Sequence, residues 1–175
     1  MKYIKKILSV SVIFAVIFAL VGCGLLNFDD ESAIKEKTKT RAIEVLATLE
    51  NGDREAFRVS FEAWICDMPD YGKGENYSFD FFKGEVLSVE QRTFHTGERI
   101  SNVQDSYKTA TGTYDVVTSE GEYVVYIQYF ISHTNEEYIG KLRKFKLIDK
   151  KDAEPGCCAE MGWKYGVYYP GWVDE

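Results

Sequence analysis

The sequence predicts an α+β domain, helices first and an antiparallel sheet after, behind an export signal that is removed. Three observations carry this. Apolar residues recur at helical spacing up to Gly84, the runs beyond it turn β-branched and aromatic, and the chain opens on a basic region followed by an almost unbroken apolar stretch.

Lys2, Lys5 and Lys6 form the basic region, residues 7–21 the apolar stretch, and Leu20-Val21-Gly22-Cys23 closes it. In such an order the cations stay on the cytoplasmic side, the apolar helix enters the bilayer, and a small residue sits at the cut. The closing tetrapeptide resembles the lipobox of bacterial lipoproteins. That resemblance implies that residues 1–22 are a signal peptide and that Cys23, bearing a diacylglyceryl group, becomes the first residue of the mature chain. The competing reading is an uncleaved anchor, since residues 4–21 approach the roughly 18 to 20 needed to span a bilayer. Two acyl chains meet the requirement for stable attachment. The expectation is a lipid-anchored protein on the extracytoplasmic face of the cell membrane, with residues 23–31 as a short tether.

Removing residues 1–22 lowers Lys+Arg from 21 to 18 against 28 Asp+Glu and moves the formal charge from −7 to −10. An acidic domain is repelled by anionic lipid and nucleic acid alike, so nucleic acid is excluded as a partner. The remaining length suits one domain, and 12 Tyr, 11 Phe and 3 Trp supply apolar bulk for its core.

Asp29, Asp30 and Ser32 offer caps to a first helix with apolar positions Ile34, Ala42, Val45, Leu46 and Leu49, which Asn51-Gly52 ends. Asp53 caps a second, with Ala56, Phe57, Phe61 and Trp64 on one side. Pro69 and Gly72 to Gly74 mark a loop, and residues 78–84 fit a short third helix. Residues 86–93, 107–118, 123–132 and 138–148 read as four strands, the middle two joined by a hairpin at Ser119-Glu120-Gly121-Glu122. Residues 32–150 are thus expected to form the α+β domain.

The run Leu49-Glu50-Asn51-Gly52-Asp53-Arg54-Glu55-Ala56-Phe57, the later Phe81-Phe82-Lys83-Gly84-Glu85-Val86 and the Tyr138-Ile139-Gly140 turn resemble a family of Gram-positive lipoproteins that carries a domain of unknown function. That family in turn resembles the nuclear-transport-factor-two-like, or cystatin-like, cone. The resemblance spans most of residues 30–150 and implies a curved sheet wrapped around helices, with a pocket. It implies no activity, because this fold hosts isomerases, dehydratases and binding modules alike.

Residues that carry chemistry are few. His95 and His133 stand 38 positions apart, without metal-ligand spacing. Residues 67–75 are acidic but lack the EF-hand pattern, and read as a solvated loop. Asp115 shares a strand face with Tyr107, Thr109, Thr111, Thr113 and Val117. Were that face turned into the cone, Asp115 and Tyr107 would line a pocket able to move protons. The favoured alternative turns Ala110, Tyr114 and Val116 to the core instead. No cofactor or metal is expected. The first functional expectation is a non-enzymatic binding or interaction module, and the alternative is a small pocket enzyme of the isomerase or dehydratase type using a cavity carboxylate.

Outside the cytoplasm Cys66, Cys157 and Cys158 can oxidise, and a bond from Cys66 to Cys157 or Cys158 stands beside free thiols as an equal alternative. Residues 151–175 form a tail with Trp163, Tyr165, Tyr168, Tyr169 and Trp172, broken by Gly166, Pro170 and Gly171. That is too aromatic for a free end. The tail is expected to pack on the domain; a sugar-stacking platform is the other reading.

Overall fold

The computed structural model describes residues 31–100, 106–153 and 166–167. The signal peptide, Cys23, Asp29, Asp30, Cys157, Cys158 and the five tail aromatics lie outside the described residues.

Helix α1, Glu31–Glu50, buries Thr38, Ala42, Val45, Leu46 and Leu49, a single stripe at helical spacing. It stops where Gly52 takes φ +68°. Gly52 N–H donates to Leu49 O at 3.2 Å and Asp53 N–H to Thr48 O at 2.8 Å. These are the two hydrogen bonds of a Schellman cap, which requires the left-handed conformation that glycine adopts without steric cost. The next residue starts the following helix: Asp53 Oδ1 accepts from Ala56 N–H at 2.9 Å, capping α2, Arg54–Val59.

The second helix was expected to run on through Trp64. It divides into α2 and α3, Ala63–Cys66, because the sheet captures residues 60–62. Phe61 forms a parallel bridge with Leu142, Leu142 N–H donates to Ser60 O at 2.8 Å and Glu62 N–H to Leu142 O at 3.4 Å.

The third helix also differs from expectation. Helix α4, Tyr71–Phe81, runs through Gly72 and Gly74, where a loop was expected, and ends before residue 84. Two glycines cost a helix about 2 kcal/mol relative to alanine, and packing outweighs that. Tyr71, Gly74 and Ser78 are buried. From α2, Arg54 donates to Asn76 Oδ1 at 2.9 Å, pairs with Glu75 at 3.6 Å and covers the Phe79 ring at 4.5 Å.

The sheet is an antiparallel meander in the order β1-β2-β3-β4-β5. Its strands are β1, Val86–Arg99; β2, Tyr107–Thr118; β3, Glu122–His133; β4, Leu142–Asp149; and β5, Gly166–Val167. β1 outruns its expected end at residue 93 because pairing with β2 continues as far as Arg99↔Tyr107, with irregularities between Val86 and Ser88 and between Gln91 and Thr93. β4 begins later than expected, since Asn135 caps a 3-10 turn at Glu136–Tyr138. β5 pairs Val167 with Phe145 and Gly166 with Lys146, so a short piece of the tail borders β4.

Gly84, φ +87°, joins α4 to β1 under the β2–β3 hairpin. A Cβ placed there would lie 2.7 Å from Ser119 Oγ and 2.8 Å from Glu120 N.

One core cluster joins the α1 stripe to Phe57, Phe61 and Ile65 of the α2–α3 region and to Ala110, Tyr114, Val116, Val125, Ile127, Tyr129, Leu142, Phe145 and Leu147 of the sheet. Phe57 lies edge-on to Phe61, Phe79 and Phe145 with centroids 5.1–5.5 Å apart. The chain is therefore α+β, N-terminal helices against a four-strand antiparallel open sheet with a two-residue strand added at the β4 edge. Among the described residues no helix is long and apolar enough to cross a membrane.

Candidate functional site

The break between α2 and α3 creates the most unusual chemical environment among the described residues. Drawing residues 60–62 onto β4 carries Glu62 inside, where it is only 2% exposed. The Trp64 indole N–H donates to Glu62 Oε2 at 2.5 Å. Arg143, from β4, brings Nε to 4.0 Å from Oε1, and Oε1 accepts no hydrogen bond. Burial raises the Glu62 pKa to about 7, against the opposing pull of the indole and the guanidinium.

Arg143 is fixed in turn by aromatic faces. Its guanidinium carbon lies 4.8 Å from the Tyr107 ring centroid and 5.0 Å from that of Phe130. Tyr107 stacks on His133 at 5.8 Å, and His133 meets Phe130 and Tyr138 edge-on at 4.8 and 4.9 Å. His133 Nδ1 accepts from Asn135 N–H at 2.9 Å, which leaves the ring proton on Nε2.

Beside this cluster opens a cleft of about 460 Å³, walled by Arg58, Glu62, Cys66, Asp67, Tyr138 and Lys141 among others. Val59, also in its wall, is 60% exposed. Lys141 Nζ donates to Val59 O at 2.7 Å and ties the start of β4 to the end of α2. Burial pushes the Cys66 thiol up from its ordinary pKa, keeping it protonated and a weak nucleophile at neutral pH. Its Sγ lies 3.5 Å from Arg58 O. Tyr71 is likewise raised by burial.

The residues considered together from sequence are set apart. Tyr107 begins β2, beside His133 and Arg143. Asp115 lies near the other end of that strand, where its Oδ2 accepts from Arg92 Nε at 2.7 Å and its Oδ1 is 3.9 Å from Lys150 Nζ. Ala110, Tyr114 and Val116 are fully buried on the helix-facing side, while Asp115 is part-exposed on the opposite one. His95 is exposed on β1, opposite Thr111. Residues 71–75 are helix rather than loop, and among the described residues no cluster of three or more His, Cys, Asp or Glu is arranged to hold a metal ion.

Sequence reading passed over Glu62 and Arg143. The only local trace of Glu62 is an acid lodged between Phe61 and Trp64, which on an unbroken helix would have faced water. Its burial follows from the strand-like kink at residues 60–62, whose partner, Leu142, is 81 positions away from Phe61.

Residues 44–152 match the family model described as a domain of unknown function, DUF5104. No curated protein matches the chain. The matched stretch holds the last two turns of α1, all of α2 to α4, all of β1 to β4 and every cleft residue named above. The chain belongs to the DUF5104 family, helices followed by a four-strand antiparallel sheet.

Proposed function

We propose that the chain is a membrane-anchored extracytoplasmic lipoprotein, and that its folded part is a non-enzymatic binding or interaction module using the cleft beside Glu62. The cleft wall carries this reading. Arg58 and Lys141 set against Asp67 and Glu137, beside Tyr138 and the exposed Val59, offer both signs of charge next to apolar surface, a mixture suited to holding a partner. Cys66 keeps its proton through burial, and the Glu62 carboxylate lies behind indole and guanidinium. Leu20-Val21-Gly22-Cys23 supports attachment through a diacylglyceryl group at Cys23. Helices followed by a sheet meander support the cystatin-like cone of a Gram-positive lipoprotein.

Mass spectrometry of the membrane fraction tests the anchor. Wild type should begin at a lipidated Cys23, and Cys23→Ala should keep residues 1–22. A wild-type chain still starting at Met1 overturns it.

One observation favours the second reading, a small pocket enzyme. A carboxyl with a pKa of about 7 titrates where a general base works best, so Glu62 takes the place given to Asp115 above. Turnover of an enolisable carbonyl compound by the purified chain, abolished by Glu62→Gln, would replace the binding reading with this one.

A further inference from the structure

Glu62 sits where a side chain can leave the interior without moving the fold. It is the last residue of the stretch captured by β4, and the bonds that hold that stretch are unequal. Leu142 N–H donates to Ser60 O at 2.8 Å, whereas Glu62 N–H reaches Leu142 O only at 3.4 Å. Past Glu62, α3 is a single turn of four residues with no side chain capping its start. Inside, Oε2 accepts from the Trp64 indole N–H, while Oε1 accepts no hydrogen bond. Glu62 also walls the cleft, which gives its side chain a short way out.

We propose that Glu62 is a pH-operated latch on the cleft: as a neutral carboxyl it closes inward on Trp64, and on losing its proton it turns into the cleft, freeing the indole and adding a negative charge to the wall. An ionised carboxyl kept inside with one hydrogen bond is the costlier state, and burial, which raises the Glu62 pKa to about 7, sets the change near neutral pH. The other response, Arg143 moving in to meet the carboxylate, is opposed by the aromatic faces that hold it. Its guanidinium lies 4.8 and 5.0 Å from the Tyr107 and Phe130 rings, and closing the 4.0 Å gap to Oε1 would draw it off both. Behind Arg143 stands His133, stacked on Tyr107. From α1, Arg41 faces the bend but is engaged by Glu44 at 2.8 Å and Ser60 O at 3.3 Å. In the cleft wall Arg58 and Lys141 stand against Asp67 and Glu137, while burial keeps the proton on Cys66 and, from α4, on Tyr71. Two cations against two acids leave the wall balanced while Glu62 is neutral and acidic once it turns out. A partner would thus meet a different charge on either side of neutral pH. The latch concerns the cleft of the binding reading but needs no partner in it, so a cleft that binds nothing would leave this inference standing.

Proton–nitrogen NMR of the full chain in detergent micelles tests the latch, with the Trp64 indole signal identified by its loss in Trp64→Phe. Between pH 5 and pH 8 that N–H should move upfield as it loses its acceptor, while the Val125 and Ile127 amides of the core stay in place. An indole moving downfield would show a carboxylate ionised where it lies, with a stronger charge-assisted bond, and overturns the proposal, as does an indole that does not titrate. Glu62→Gln should hold the indole at one position throughout. A pH-dependent shift that survives in this variant puts the proton on another group, such as His133, and overturns the proposal too. Hydrogen exchange supplies a readout that does not depend on the indole. Corrected for the intrinsic effect of pH, protection of the Glu62 amide should fall about tenfold between pH 6 and pH 8 in wild type and stay constant in Glu62→Gln, with Val125 and Ile127 far better protected at both values. Equal protection of all three amides would mean global unfolding rather than a latch, and overturns it.

Discussion

Trp64 and Glu62 stand two positions apart and close on each other across the first turn of α3, indole N–H to carboxylate oxygen at 2.5 Å. The other carboxylate oxygen is left to Arg143 at 4.0 Å, too far for a hydrogen bond. One charge-assisted hydrogen bond and one loose ion contact do not replace the water an exposed carboxylate would keep. The acid therefore holds its proton up to a pH of about 7.

The sign of the resulting pH dependence is fixed. A carboxyl whose pKa is raised on folding, from 4.5 to about 7 here, stabilises the fold most below pH 4.5, and that contribution is lost as pH rises through 7. With solvent screening allowed for, the loss is on the order of 1–3 kcal/mol. Glu62→Gln keeps an oxygen for the indole and carries no charge to bury. Its melting temperature should match wild type near pH 5 and exceed it at pH 8. Parallel melting curves across that range would refute the assignment.

Asp53→Ala removes the acceptor for Ala56 N–H at a point where two helices share one hinge. We expect a loss of about 1 kcal/mol, with Asp53→Asn close to wild type. Equilibrium urea unfolding reads both, and an unchanged midpoint for the alanine variant contradicts the cap.

Gly84→Ala and Gly72→Ala should have opposite signs. At Gly84 a methyl group meets Ser119 and the Glu120 backbone at a positive φ, and about 2 kcal/mol or more should be lost. At Gly72, inside α4, the methyl group meets nothing within 4 Å, and about 0.5–1 kcal/mol should be gained. Thermal denaturation of the two variants compares them, and destabilisation by both would mean that α4 is placed wrongly.

Asp115→Asn breaks a part-exposed ion pair with Arg92. Such pairs contribute less than about 1 kcal/mol and weaken with salt. The expected change is correspondingly small and shrinks further in 1 M NaCl, as urea midpoints at low and high salt would show. A loss of several kcal/mol would instead mark Asp115 as a buried structural charge.

Local chemistry made part of this fold legible. Asn51-Gly52-Asp53 carries both the stop of α1 and the start of α2 in three adjacent residues, and the 107–118 strand agrees to the residue, its C-terminal end set by the hairpin in which Thr118 N–H donates to Gly121 O. What escaped depends on distant partners. Gly72 and Gly74 weaken a helix in isolation, and only the Arg54 clamp and the buried Tyr71 show why α4 forms there. The bridge to Leu142 that splits α2 from α3 likewise leaves no mark within ten residues of Phe61. The candidate site was illegible for the same reason, since Glu62 and Arg143 meet through that bridge.

Among the described residues β1 has a partner on one side only, which gives the two irregularities in its pairing a protective consequence. A 14-residue edge strand of regular pleat would be a template for another chain to add to, and so a seed for aggregation. The interruptions at Leu87 and Arg92 break the even row of free N–H and C=O groups that an incoming strand must match, and Glu90, Arg92, Glu98 and Arg99 line the same stretch with charge. The meander thus ends in a border that resists recruitment of a further strand.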